Sequence, residues 1–124
     1  MALISASNKF NTDGINVTAT SSGASAQLLY QCPTNFSSIL KFLHISSGAS
    51  ANKKISIQYY NDKKAQYDYL LNAFVMGSNS LHGVIEGGSM FYLHSGDKLV
   101  CYTDTSGNFD VIFSTEEFFN PNLA

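Results

Sequence analysis

The chain has no arginine and no tryptophan, only two prolines and two cysteines, and a charged fraction of 13% in 124 residues. Each scarcity excludes something. Nucleic-acid binding leans on Lys and Arg to neutralise phosphates, with Arg the commonest reader of base edges. Seven lysines offset by nine acids, for a net charge of −2, exclude nucleic acid as an expected partner. No run approaches the roughly 18 apolar residues of a membrane span, so no membrane partner is expected. The opening Met1-Ala2-Leu3-Ile4-Ser5-Ala6-Ser7-Asn8-Lys9 puts no long apolar run behind basic residues, so no signal peptide is expected. On that ground Cys32 and Cys101 are expected to be reduced, buried thiols rather than a disulfide. The sequons at Asn16 and Asn35 carry no meaning for the same reason.

Charge is scarce against the roughly 25% of an ordinary globular chain, and Ser, Thr, Asn, Tyr and Gly make up the difference. A weakly charged surface solvates a free monomer poorly, which points to coverage by partners. At 44% hydrophobic, the chain is long enough to bury one core.

The apolar residues recur with the period of two that marks strands. The stretch from Met90 to Glu117 organises the rest. It holds three short strands separated by Ser95-Gly96-Asp97 and Thr105-Ser106-Gly107-Asn108, turn sequences in which Gly supplies a positive φ. Leu99, Cys101 and Thr103 share one face, as do Phe109, Val111 and Phe113, and a compact antiparallel unit is expected here. Upstream, strands are expected over 15–20, 26–32, 37–46, 55–60, 65–71 and 81–85. Pro33 stops the second of these, because proline cannot donate to a ladder. The run 37–46 has a ten-residue helix as its rival, but its β-branched and aromatic content favours a strand buried on both faces. Residues 55–71 form a hairpin around Asn61-Asp62-Lys63-Lys64. The segment 74–77 is ambiguous, and no helix start or stop signal stands out.

The expected fold is therefore all-β: an antiparallel, jelly-roll-like β-sandwich of about eight or nine short strands. Residues 1–14 form an extended N-terminal arm, 15–119 the sandwich and 120–124 a C-terminal tail.

Candidate sites are few. His44, His82 and His94 sit on three separate strands without the close pairing of a zinc site, so no metal is expected. Carboxylates for glycoside cleavage could be drawn from Asp62 and Asp68, or from Asp97, Asp104 and Asp110, but aspartates beside Gly or Asn ordinarily serve turn hydrogen bonds. With neither a nucleophile elbow nor a phosphate loop, no enzyme and no cofactor are expected. Tyr59, Tyr60, Tyr67 and Tyr69 flank the hairpin beside Lys53, Lys54, Lys63 and Lys64. Tyrosine offers rigid apolar area with a polar tip, suited to protein interfaces and to sugar stacking. Leu3, Ile4 and Phe10 are apolar anchors in an otherwise polar arm. These seven residues are the candidate interface.

Four segments in order carry a resemblance: Ala26-Gln27-Leu28-Leu29-Tyr30-Gln31-Cys32-Pro33, Ile39-Leu40-Lys41-Phe42-Leu43-His44-Ile45, Ser95-Gly96-Asp97-Lys98-Leu99 and Phe109-Asp110-Val111-Ile112-Phe113-Ser114. Over residues 26–117 they resemble small structural proteins of tailed bacteriophages. There a Leu-Tyr-x-x-Pro strand precedes an Ile-x-x-Ile-x-Ile strand, and a Leu-x-x-Gly-Asp-x-Leu turn, here Leu93 to Leu99, precedes a closing strand. The resemblance implies a virion building block assembled in the host cytoplasm, without an active site, whose partners are major capsid or tail proteins. A capsid decoration or cement subunit is the first expectation, with a homo-oligomer, a trimer first, at a local symmetry axis. A tail, neck or fibre-attachment component and a glycan-binding module for host recognition are the alternatives.

Overall fold

In the computed structural model, residues 9–86 and 89–119 are described; Leu3, Ile4 and the 120–124 tail lie outside them. Nine strands form two antiparallel sheets: β1 Lys9–Val17, β2 Gln27–Gln31, β3 Phe36–Ser47, β4 Lys53–Asn61, β5 Gln66–Met76, β6 Ser80–Ile85, β7 Phe91–Leu93, β8 Lys98–Thr103 and β9 Phe109–Phe119. The first sheet runs β1-β9-β3-β6, with β7 also on β3, and the second runs β2-β8-β4-β5. The expected all-β sandwich is present. Apart from the 3-10 turn Gly23–Ser25, the described residues hold no helix.

The core is the inward-facing set of each strand. Val17, Leu40, Leu43, Ile45, Val111 and Phe109 from the first sheet meet Ile55, Ile57, Leu99 and Cys101 from the second. The faces assigned to 99–103 and 109–113 are the buried ones. The stretch from Met90 to Glu117 is nonetheless not one antiparallel unit. β7 and β9 both pair with β3, while β8 lies in the opposite sheet between β2 and β4. The turns that read as hairpin reversals are crossings between sheets. Gly96 and Gly107 do take the positive φ, at 88° each, and their N–H groups bond to Cys32 and Val17 carbonyls of other elements.

Two bulges explain the places where alternation was hard to read. In β3, Leu40 faces Thr115 and Phe42 faces Ser114, so Lys41 is an extra residue in the ladder. Leu40 and Leu43 then both point inward, which gives the segment its helix-like spacing. Residues 53–76 form the expected hairpin, but its second strand continues to Met76. Between Ile57↔Leu71 and Ile55↔Phe74, β5 carries one more residue than β4. Ala73 absorbs it with φ 52°, its N–H held by the Ser56 hydroxyl at 2.8 Å. That bulge made 74–77 ambiguous.

β1 starts at Lys9 rather than Ile15. The segment 9–14, expected in the arm, pairs residue by residue with β9 as a solvent-exposed edge strand. Its polar sequence suits an edge, where the outer backbone groups meet water. Both cysteines are free and buried, and burial alone pushes the Cys101 thiol up to about 12.

Candidate functional site

The tyrosines divide by strand parity. Tyr59 points inward, packing edge-to-face on Phe91 at 5.1 Å, and its hydroxyl donates to Asp97 Oδ2 at 2.7 Å. It is a core contact rather than a surface anchor. Tyr60, Tyr67 and Tyr69 project from the outer face of the second sheet. Tyr60 and Tyr67 are cross-strand partners with rings 4.7 Å apart, and the Lys98 ammonium lies 5.1 Å from the Tyr60 ring centre. Tyr69 shares a 2.6 Å hydroxyl–hydroxyl bond with Tyr102 of β8. Tyr102 was not singled out in the sequence, because its place beside Tyr69 depends on the non-local β8–β4 pairing. A shallow pocket of about 180 Å³ next to this pair is lined by Tyr102, Thr20, Lys54 and Asp104.

The outer face of the first sheet is more apolar. Phe10, Glu116, Ile39 and Tyr92 lie in one row across β1, β9, β3 and β7. Phe10 is 71% exposed and Tyr92 60%. Two rows along, Ile112 and His44 are partners, and Leu81 ends the next row at 67% exposure. Lys41 and Glu116 form a 3.0 Å ion pair on this face. Of the arm anchors, Phe10 is placed here; Leu3 and Ile4 lie outside the described residues.

The other candidates serve the fold. His44 packs on Phe42 and His82 stacks on Phe74, and the described residues hold no cluster able to ligate a metal. Asp97 is 2% exposed and accepts the Asp62 and His94 N–H groups at 2.9 Å each, besides Tyr59. Asp104 accepts the Lys54 N–H, and Asp110 accepts from the Asn16 amide. Asp68 accepts the Gln66 side-chain amide.

At the opposite edge, a chain of polar groups runs inward. The Tyr30 hydroxyl donates to Glu117 and lies 2.6 Å from the Ser38 hydroxyl, which is 3.1 Å from the Cys32 sulfur. Burial, reinforced by the Glu117 bond, pushes the Tyr30 phenol well above its usual range; burial and Asp97 do the same at Tyr59. Above about pH 10 an unfolded tyrosine ionises while these two stay protonated, so the unfolded chain binds fewer protons and stability falls with pH. Denaturation midpoints measured from pH 8 to 11.5 should therefore decline, and a Tyr30→Phe chain, though less stable at pH 8, should decline less steeply. Parallel declines for the two chains would contradict this.

No protein-family model and no curated protein sequence matches the chain. Among solved structures, a chain of the Bacillus endospore appendages, described as a family of disulfide-linked pili, aligns with a TM-score of 0.51 at 12% identity, over 97% of this chain and 95% of that one. A chain from the virus-like particle of the giant freshwater prawn Macrobrachium rosenbergii extra small virus gives 0.47 at 11% identity, over 95% and 83%. At such identity the first likeness is one of fold.

Proposed function

We propose that the chain is a non-enzymatic structural subunit that assembles through its sheet faces, and specifically a capsid decoration or cement subunit of a tailed phage. The observation that carries the reading is the outer face of the first sheet. An outer sheet face of a free monomer is normally polar, whereas this one exposes Phe10, Tyr92, Ile112 and Leu81, with half-buried Ile39, among polar Thr12, Ser114, Asn16 and Asp110. Covering it would bury large aromatic and branched side chains, the material of interface cores. The low charge of the whole chain and the phage-protein resemblance of residues 26–117 support the same reading. A chain of like fold forms pili, also an assembly. There the subunits are disulfide-linked; here Cys32 and Cys101 are both buried, so the contacts would be non-covalent.

A second reading rests on exposed Tyr69 and half-buried Tyr60, Tyr67 and Tyr102, whose rings on the outer face near a small pocket could stack sugars. Co-sedimentation with particles that lack the protein, run beside a glycan array, separates the two. The decoration reading predicts saturable binding to capsids and none to glycans. Glycan binding without capsid binding would overturn it, and binding to tails alone would move the subunit to the tail.

A further inference from the structure

The inner face of the first sheet runs past the edge of the second. Along β1, burial falls from enclosed Val17 through half-buried Ile15 to exposed Asp13 and Asn11. Their partners on β9 are Phe113 and Thr115, and Glu117 follows opposite Lys9. A cleft of about 380 Å³ results between β1 and β2, a size at which small ligands are held. Leu29, Phe113 and the Tyr30 ring give it an apolar floor, and Asp13, Thr115 and Glu117 supply polar atoms.

Two features of this cleft are unfinished. Thr115 is 2% exposed, yet its hydroxyl oxygen has no hydrogen-bond partner among the described residues. Buried polar groups are nearly always paired, so the hydroxyl marks a place for an incoming polar atom. Glu117 is 6% exposed and takes the Tyr30 hydroxyl on one oxygen. Its cross-strand partner Lys9 shares that face but forms no ion pair with it, and the nearby ion pair, Lys41–Glu116, sits on the other face of the sheet. Asp13, whose Oδ1 holds its neighbour's N–H, adds a second carboxylate at the rim. The lining holds carboxylates, hydroxyls and an amide, with no cationic side chain. A buried carboxylate is stabilised by a charged donor.

We infer that the cleft between β1 and β2 binds a primary ammonium group carried on an unbranched aliphatic stem, the chemistry of a lysine side chain and of a free alkyl diamine. The stem lies on Leu29 and Phe113, and the ammonium donates to Glu117 and Thr115, while Asp13, four residues along the ladder, adds negative charge at the rim. This goes beyond the assembly reading and stands or falls apart from it.

The test is an amide NMR titration of the full chain with cadaverine, with Nα-acetyl-lysine N-methylamide and with the uncharged analogue 1,5-pentanediol. Saturable shifts confined to Asn11, Asp13, Thr115 and Glu117 are expected with at least one amine and none with the diol. Glu117→Gln, which keeps an acceptor for Tyr30, should weaken binding at least tenfold, and Thr115→Val should weaken it without loss of fold. If Glu117→Gln fails to fold, Thr115→Val carries the test, and Asp13→Asn at the exposed rim should weaken binding by a smaller factor through lost negative charge. A response to cadaverine alone assigns the site to free diamines; a response to the lysine amide assigns it to a protein-borne lysine. No saturable shift with either amine, equal binding of the diol, or unweakened binding by the carboxamide variant would overturn the inference.

Discussion

Phe109→Ala is expected to cost about 3–5 kcal/mol of stability, the usual range for emptying an enclosed phenylalanine site. The ring is 0% exposed and belongs to the strand at the centre of the first sheet, between Val17 of β1 and Ser47 of β3. Its neighbours lie in paired strands on both sides, so they cannot collapse into the space. Set against the roughly 5–15 kcal/mol that holds a typical domain together, the loss would leave a marginal fold. Phe113 lies four residues along the same face but borders the open cleft, where relaxation and water can fill the void. Its alanine variant should lose less. Urea midpoints for the two variants check both statements. A Phe109→Ala midpoint equal to that of the parent chain would mean the core register is wrong.

Asp97→Ala should be of similar size, by a different mechanism. Its carboxylate gathers the Tyr59 hydroxyl and the N–H groups of Asp62 and His94, joining the β7–β8 turn to the tip of the β4–β5 hairpin. Asp97 itself is 2% exposed, and removing its acceptor leaves three part-buried donors without their partner. At about 1–3 kcal/mol for a buried unpaired donor, and less for donors that water can reach, a loss of about 3 kcal/mol follows. Asp97→Asn keeps one acceptor oxygen but turns an amide N–H₂ toward remaining donors, so it should fall between. Thermal unfolding of the three chains, with amide exchange read at Asp62 and His94, tests the account. Faster exchange should be concentrated at those two amides. An alanine variant as stable as the parent would show that the clamp does not hold the turn.

What was legible in the sequence follows from the range of the forces involved. Alternation is local, so the inward faces of β8 and β9 and the existence of the central hairpin could be read directly. Turn chemistry is local too, so Gly96 and Gly107 announced their positive φ values. Sheet membership is not local. Nothing within 90–117 says that β8 leaves its neighbours for the opposite sheet, and that choice put Tyr102 beside Tyr69. Bulges hide in the same way. The extra residues at Lys41 and Ala73 shift the period by one, and only the partner strand reveals the shift. The cleft was illegible for a related reason: Asn11, Asp13, Thr115 and Glu117 are a hundred residues apart until β1 pairs with β9. Polar residues at 9–14 suggested an arm, because an edge strand and a free segment have the same composition.

The assembly reading turns on the outer face of the first sheet, and Ile112 sits near the middle of it, exposed and away from the core. The most direct measurement is sedimentation velocity of the full chain and its Ile112→Asp variant over a wide concentration range, with a melting curve for each. The parent chain should form larger species as concentration rises, while the variant stays monomeric at an unchanged melting temperature. A parent chain that remains monomeric throughout, or a variant that assembles equally well, would contradict the account.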